Sequence, residues 1–215
     1  MLPRTAITNW PKSLSCSLKS DDQDSEREVS SLVARFKSGD QSAFAGLVSC
    51  YRDPVAALAY RMVNNYDEAA DIAQDVFVKL ARHIERYDQN RRFSTWLYRV
   101  TINASIDYMR RQRRHRHEPL ADYSETLVSS QPDPALLFRR QQIGWHVREA
   151  ARRLTERQRS AFQLRDIEGC GIDTVADIMD MPQATVRWYL HRARNNIRHE
   201  LSRLCPHLLL SFGVK

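Results

Sequence analysis

The sequence predicts an all-α fold of two small helical domains, a four-helix unit and a C-terminal helix-turn-helix unit, joined by a flexible linker. Three observations carry this. Only six glycines occur in 215 residues, β-branched alternation of the kind that makes strands is scarce, and apolar residues recur at helical spacing along most of the chain. Pro119, Pro132 and Pro134 gather in one aperiodic stretch that separates two helical regions. A composition 42% hydrophobic and 27% charged gives each region enough apolar material for a core.

Residues 1–27 are polar and serine-rich, end in the acidic run DDQDSERE, and are expected to form a mobile leader. The first domain is placed at 28–114. Its first helix carries Val29, Leu32, Val33 and Phe36 at i, i+3, i+4 and i+7, and Gly39 follows where a left-handed residue would end it. Asp40 is the expected cap of a second helix. Its stripe of Phe44, Leu47, Val48 and Tyr51 resumes at Val55, Leu58, Ala59 and Met62, and Pro54 is expected to bend or divide it. A third helix starts near Asp67 with Ile72, Val76, Phe77, Leu80 and Ile84 inward, and a fourth starts with Ser94 as cap.

Residues 115–134 read as the linker, and 135–204 as the second domain. Helical pattern returns from Ala135 to Leu154. Thr155 and Gln158 then form a T-x-x-Q capping box for a helix with Ala161, Phe162, Leu164 and Ile167, closed by Gly169 and Gly171. A short helix with Val175, Ala176, Ile178 and Met179, the turn Asp180-Met181-Pro182 and a longer basic helix complete a helix-turn-helix. The tail 205–215 is apolar, which fits packing on this domain or binding a partner, and the sequence leaves its role open.

An excess of 33 Lys and Arg over 26 Asp and Glu gives a charge of +7, which suits a polyanionic partner. Its distribution is more telling. On the last long helix Val186, Leu190, Ala193, Ile197 and Leu201 keep one side apolar. Arg187, His191, Arg194 and Arg198 line the other, with Trp188, Arg192 and Asn195 beside them. Such a face fits a major groove, where arginine grips guanine O6 and N7 and more distal cations meet phosphates. A second basic cluster, Arg110, Arg111, Arg113, Arg114 and Arg116, exceeds what a helix C-terminus needs to offset its dipole, and duplex phosphate is the anion that would relieve it. Upstream, Tyr87, Phe93, Trp96 and Tyr98 interleave with arginines, Asn103 and Asp107, a pattern suited to holding melted strands, although Trp96 also lies on the stripe that must bury.

Other classes find little support. Cys16, Cys50, Cys170 and Cys205 are far apart and are read as reduced thiols, with no metal-site spacing and no cofactor motif. Asp67, Glu68 and Asp71 cluster without forming a spaced catalytic set. No catalytic residue or small-molecule substrate is expected. No apolar run reaches the roughly 20 residues of a membrane span, nor is there a secretory signal, so no direct membrane insertion and a cytoplasmic location are expected. A free-standing helix-turn-helix regulator, dimeric on palindromic DNA, is the rival reading.

The stretch DEAADIAQDVFVKLARHIERYDQNRRFSTWLYRVTINASIDYMRRQRR, followed after the linker by LTERQRSAFQLRDIEGCGIDTVADIMDMPQATVRWYLHRARNNIRHEL, closely resembles the two conserved regions of extracytoplasmic-function sigma factors, from about residue 28 to 203. The resemblance implies a first domain that binds core RNA polymerase and opens the minus-ten element of promoter DNA, and a second that reads the minus-thirty-five element. Asp71, Gln74, Asp75 and Lys79 then match the polymerase-binding helix, Tyr87 to Ser94 the base-capturing loop, and Asn103 and Asp107 its pocket. Thr185, Arg187, Trp188, His191 and Arg192 correspond to the recognition face. Asp122, Glu125 and Asp133 would thread polymerase channels, and an anti-sigma factor is implied as regulator. Trp188 and Tyr189 depart from the family's usual small polar and basic or polar residues. Gly171 and Asp180 stand in for its usual serine cap and turn glycine.

Overall fold

Local chemical signals set several of the helix boundaries, and the computed structural model describes residues 23–115, 146–147 and 149–204. Helix α1 (Gln23–Lys37) ends at Gly39, whose φ of 97° suits a residue without Cβ. Helix α2 (Gln41–Val63) is capped by Asp40, which accepts from the Ser42 amide at 2.9 Å, and is closed by left-handed Asn64. Asn65 caps α3 (Tyr66–His83) by accepting from the amides of Asp67 and Glu68. A 3-10 turn, Ile84–Arg86, leads through a loop to α4 (Phe93–His115). In the second unit, Thr155 and Gln158 form the reciprocal capping box that starts α5 (Glu156–Phe162), which widens into a π turn at Gln163–Ile167. Helices α6 (Ile172–Met179) and α7 (Gln183–Leu204) complete the helix-turn-helix, with Asp180 at φ 54° in the turn and Gly171 capping α6 without a side-chain bond. No strand occurs among the described residues.

Three elements differ from the sequence reading. Helix α1 begins at Gln23, inside the stretch read as leader to residue 27, and Glu26 there pairs with Arg92 at 2.9 Å. Pro54 does not divide α2: the helix runs unbroken through it, and the proline is itself buried. An interior proline costs ~3 kcal/mol, but Tyr51, Val55 and Leu58 around it are 7%, 0% and 3% exposed, and their burial offsets that cost so that the helix continues. Helix α4 starts at Phe93, so Ser94 lies in the first turn rather than at the cap. The linker and its Asp122, Glu125 and Asp133, the tail and most of the helix expected from Ala135 lie outside the described residues.

Three apolar cores are present among the described residues. The first lies among α1 to α4 and includes Leu47, Val55, Val76, Leu80 and Leu97. Another, with Ala150, Leu154, Phe162, Ile197 and Leu201, joins the start of the second unit to the far half of α7. Between them a third is built from both units: Leu58 and Met62 of α2 and Tyr98 and Ile102 of α4 pack with Leu164, Val175, Ile178, Val186 and Leu190. The two units are therefore docked.

Polar contacts fasten the dock. Arg61 and Glu168 form an ion pair with side chains only 8% and 6% exposed, and Gln163 donates to the same carboxylate at 3.0 Å. Burial pushes the Arg61 guanidinium below its ordinary pKa, and Glu168 opposes that shift. Arg159 donates to the Met62 carbonyl at 2.6 Å; burial and the neighbouring Arg113 charge lower its pKa to about 10. Arg99 reaches the Asp177 carbonyl at 3.1 Å and Asp180 at 3.0 Å, and Arg113 pairs with Glu156 at 2.9 Å.

Candidate nucleic-acid interface

Helix α7 is positioned by its apolar stripe. Val186, Leu190, Ala193, Ile197 and Leu201 are all buried, which turns the opposite side outward. Arg187, Trp188, His191, Arg192 and Arg194 are exposed there, with Thr185 and Arg198 half-buried at its margins. Short bonds order this face: Arg187 donates to Gln183 at 3.1 Å, His191 and Asn195 meet at 2.9 Å, and Arg198 donates to Asn195 at 3.0 Å. Arg194 turns back as a strut. It makes two hydrogen bonds to Asp166 of the π turn, at 2.6 and 2.9 Å, which raise its pKa and tie α7 to α5.

On α4 the division is equally sharp. Thr101 and Ser105 are fully buried, their hydroxyls donating to the Leu97 and Thr101 carbonyls, while Asn103 and Asp107 stand exposed on another side. Arg110, Arg111, Arg113 and Arg114 are exposed at its end, and Arg113 is engaged by Glu156.

Tyr87 and Phe93 are not displayed with them. They are 7% and 5% exposed and belong to a ring cluster with Tyr51 and Trp96, at centroid distances of 5.3 to 5.9 Å. The Tyr87 hydroxyl donates to the Arg91 carbonyl, Lys37 donates to the Tyr87 carbonyl at 2.9 Å, and Asp88 accepts from the Asn90 amide at 3.0 Å. Their rings already pack edge-on or tilted against one another, so in this arrangement they support the loop from inside, and Asp88 to Arg92 form its exposed rim.

Helix α3 presents a third surface. Asp71, Gln74, Asp75 and Lys79 are all exposed opposite buried Ile72, Val76, Phe77 and Leu80. Among the described residues no group of His, Cys, Asp or Glu has the geometry to hold a metal, and no helix is long and apolar enough to cross a membrane. Cys50, exposed, and Cys170, buried, are not joined in a disulfide.

Sequence reasoning missed Arg61, Arg99, Arg159 and Glu168, which fasten the units together. A weak signal existed for Arg61, a lone charge inside the apolar run ALAYRMV.

A family model for sigma-70 region 2 matches residues 47–115, and one for sigma-70, region 4 matches residues 146–197. Together with a helix-turn-helix whose outer face is cationic, they define a sigma-70-type transcription initiation factor. The ECF RNA polymerase sigma factor SigW of Bacillus subtilis (strain 168) is 31% identical over 185 residues, which cover 82% of this chain and 98% of SigW. The ECF RNA polymerase sigma-E factor of Escherichia coli (strain K12) is 32% identical over 180 residues, 80% of this chain and 94% of its own. The chain belongs to the ECF sigma factors, the subunits that direct core RNA polymerase to promoter DNA. Solved structures share the fold. CnrH, in complex with the cytosolic domain of CnrY, superposes at a TM-score of 0.59 with 21% identity, covering 82% of this chain and 98% of CnrH. The sigma factor RpoE from Bartonella quintana, in complex with the anti-sigma factor NepR, gives 0.58 with 20% identity, covering 74% and 96%.

Proposed function

We propose that this sigma factor divides its work among the three exposed surfaces. Helix α7 reads the upstream promoter element through Thr185, Arg187, Trp188, His191 and Arg192, with Arg198 on phosphate and Arg194 holding the helix in place. Asn103 and Asp107 of α4 receive bases from the downstream element beside the loop rim, Tyr87 and Phe93 brace that rim, and Arg110, Arg111, Arg113 and Arg114 hold the phosphates of the opening DNA. Asp71, Gln74, Asp75 and Lys79 dock on core polymerase. The division of labour follows the units at 28–114 and 135–204.

The observation that carries this reading is the two-sidedness of α7, with five residues buried on one side and a nearly continuous row of cations and hydrogen-bond donors on the other. Binding alone accounts for promoter opening here. The chain does no catalytic chemistry of its own, works in the cytoplasm, and is held in check by an anti-sigma factor, as the NepR complex of the structurally similar RpoE suggests.

Run-off transcription by core polymerase on a promoter library, with and without this chain, tests the reading. Sequence-selected start sites that need paired elements support it, and start sites unchanged by the chain would remove it.

A further inference from the structure

Trp188 is 51% exposed, the only large apolar side chain left outward on α7 among the described residues. Packing does not require it there, because the buried stripe of α7 is complete without it. Yet the indole is braced on two sides. The Tyr189 ring meets it edge-on at 5.0 Å, and the Arg192 guanidinium lies 5.4 Å from its centroid. Tyr189 in turn packs against the core between the units. Arg192 also differs from Arg194: no carboxylate pairs with it among the described residues, so its donors are left for a ligand.

We propose that Trp188 and Arg192 form one reading unit for a thymine close to a guanine in the upstream element, an inference that rests on α7 being the helix that reads that element. Thymine is the base whose major-groove edge carries a methyl group, which favours an apolar contact, while guanine O6 and N7 accept the two donors of a guanidinium fork. Side chains at i and i+4 lie about 6 Å apart along a helix, and base pairs are spaced by ~3.4 Å, so the two targets fall within about two base-pair steps. The indole holds the guanidinium beside its ring before DNA arrives, which lowers the entropy lost on contact.

Holoenzyme assembled from the full chain and core polymerase is challenged with promoters randomised in the upstream element. The wild type is expected to select a thymine near a guanine. Deoxyuridine in place of that thymine removes one methyl group and should weaken use of the promoter about four-fold. Trp188→Ser should abolish the thymine preference and the deoxyuridine effect together, Trp188→Phe should keep both, and Arg192→Lys should relax the guanine. Use of the upstream element that is insensitive to deoxyuridine and unchanged in Trp188→Ser would overturn the inference and leave the α7 reading standing. Loss of all dependence on the upstream element in the wild type would instead remove that reading. Equal loss for Trp188→Ser on promoters with a scrambled upstream element would show that the indole touches protein, which also overturns the inference.

Discussion

Removal of the Glu168 carboxylate is the sharpest test of how the two units are held. In Glu168→Ala the Arg61 guanidinium keeps its charge in a site where its side chain is 8% exposed, and Gln163 loses an acceptor at 3.0 Å. Removing one partner of a buried ion pair costs about 3–5 kcal/mol, because the cost of burying the remaining charge is no longer offset. Whole domains are stable by only about 5–15 kcal/mol, so this loss is large. The chain has a way to limit it: undocking returns Arg61 to water at the cost of exposing Leu58, Met62, Tyr98 and Ile102. Urea denaturation followed at tryptophan should therefore lose cooperativity, with the first unit melting separately from the second, and small-angle scattering should show a larger radius of gyration. A double substitution, Arg61→Met with Glu168→Leu, removes both charges and should recover most of the midpoint, short of wild type by the acceptor that buried Gln163 still lacks. An unchanged midpoint and radius in Glu168→Ala would refute the claim that this pair holds the dock.

Arg187→Ala and His191→Ala should each impair use of the upstream element several-fold and Asn103→Ala should impair opening downstream, as read by band shift and permanganate footprinting; all three side chains are exposed, so melting temperatures should move little. Charge reversal at Asp71 or Asp75 should weaken binding to core polymerase ten-fold or more in a competition assay without altering helicity, since both carboxylates lie on the outer face of α3. Hydrogen bonds from Ser42 and Arg35 draw the Asp40 carboxyl down to about 2. A depressed folded-state pKa adds stability that is complete above the unfolded value near 3.8 and is lost as pH falls through 2. The melting-temperature gap between wild type and Asp40→Asn should accordingly be constant above about pH 5 and shrink to roughly half by pH 3.

Local signals carried most of the second unit. The T-x-x-Q box, the turn at Asp180 and the two-sided pattern of α7 each follow from bonds within a few residues, and such bonds survive whatever the helices pack against. Phe93 shows where this fails. With α4 started at Ser94, Phe93 falls outside the helix and reads as a ring beside arginines. Started at Phe93, the helix places it at i with Leu97 at i+4, Thr101 at i+8 and Ala104 at i+11, the stripe that is buried. One residue of boundary changes a contact residue into a core residue. The dock was illegible for a different reason. Tyr98 and Ile102 make a second apolar stripe on α4, and the pattern shows that it must be covered without naming the neighbour. Arg61 and Glu168 are 107 residues apart, and no local rule pairs them.

Docking also bears on how two promoter elements are used at once. The minus-ten and minus-thirty-five elements lie about 25 base pairs apart, roughly 85 Å of duplex at ~3.4 Å per pair. A compact chain of this length has a radius of gyration of only about 17 Å, so the docked form reaches one element and not both. Residues 115–134 read as the linker, and a chain of that length extends to at most about 70 Å, which together with the breadth of the two units spans the gap. If the two units take the two elements as proposed, the Arg61–Glu168 dock has to open on polymerase, and its free energy is subtracted from the affinity for the enzyme. Glu168→Ala should for this reason have effects of opposite sign: a less stable free chain and tighter binding to core polymerase in equilibrium titration. Weaker binding to polymerase by a variant whose separate units remain folded would show that the docked arrangement persists in the holoenzyme, and would break this argument at its geometric step.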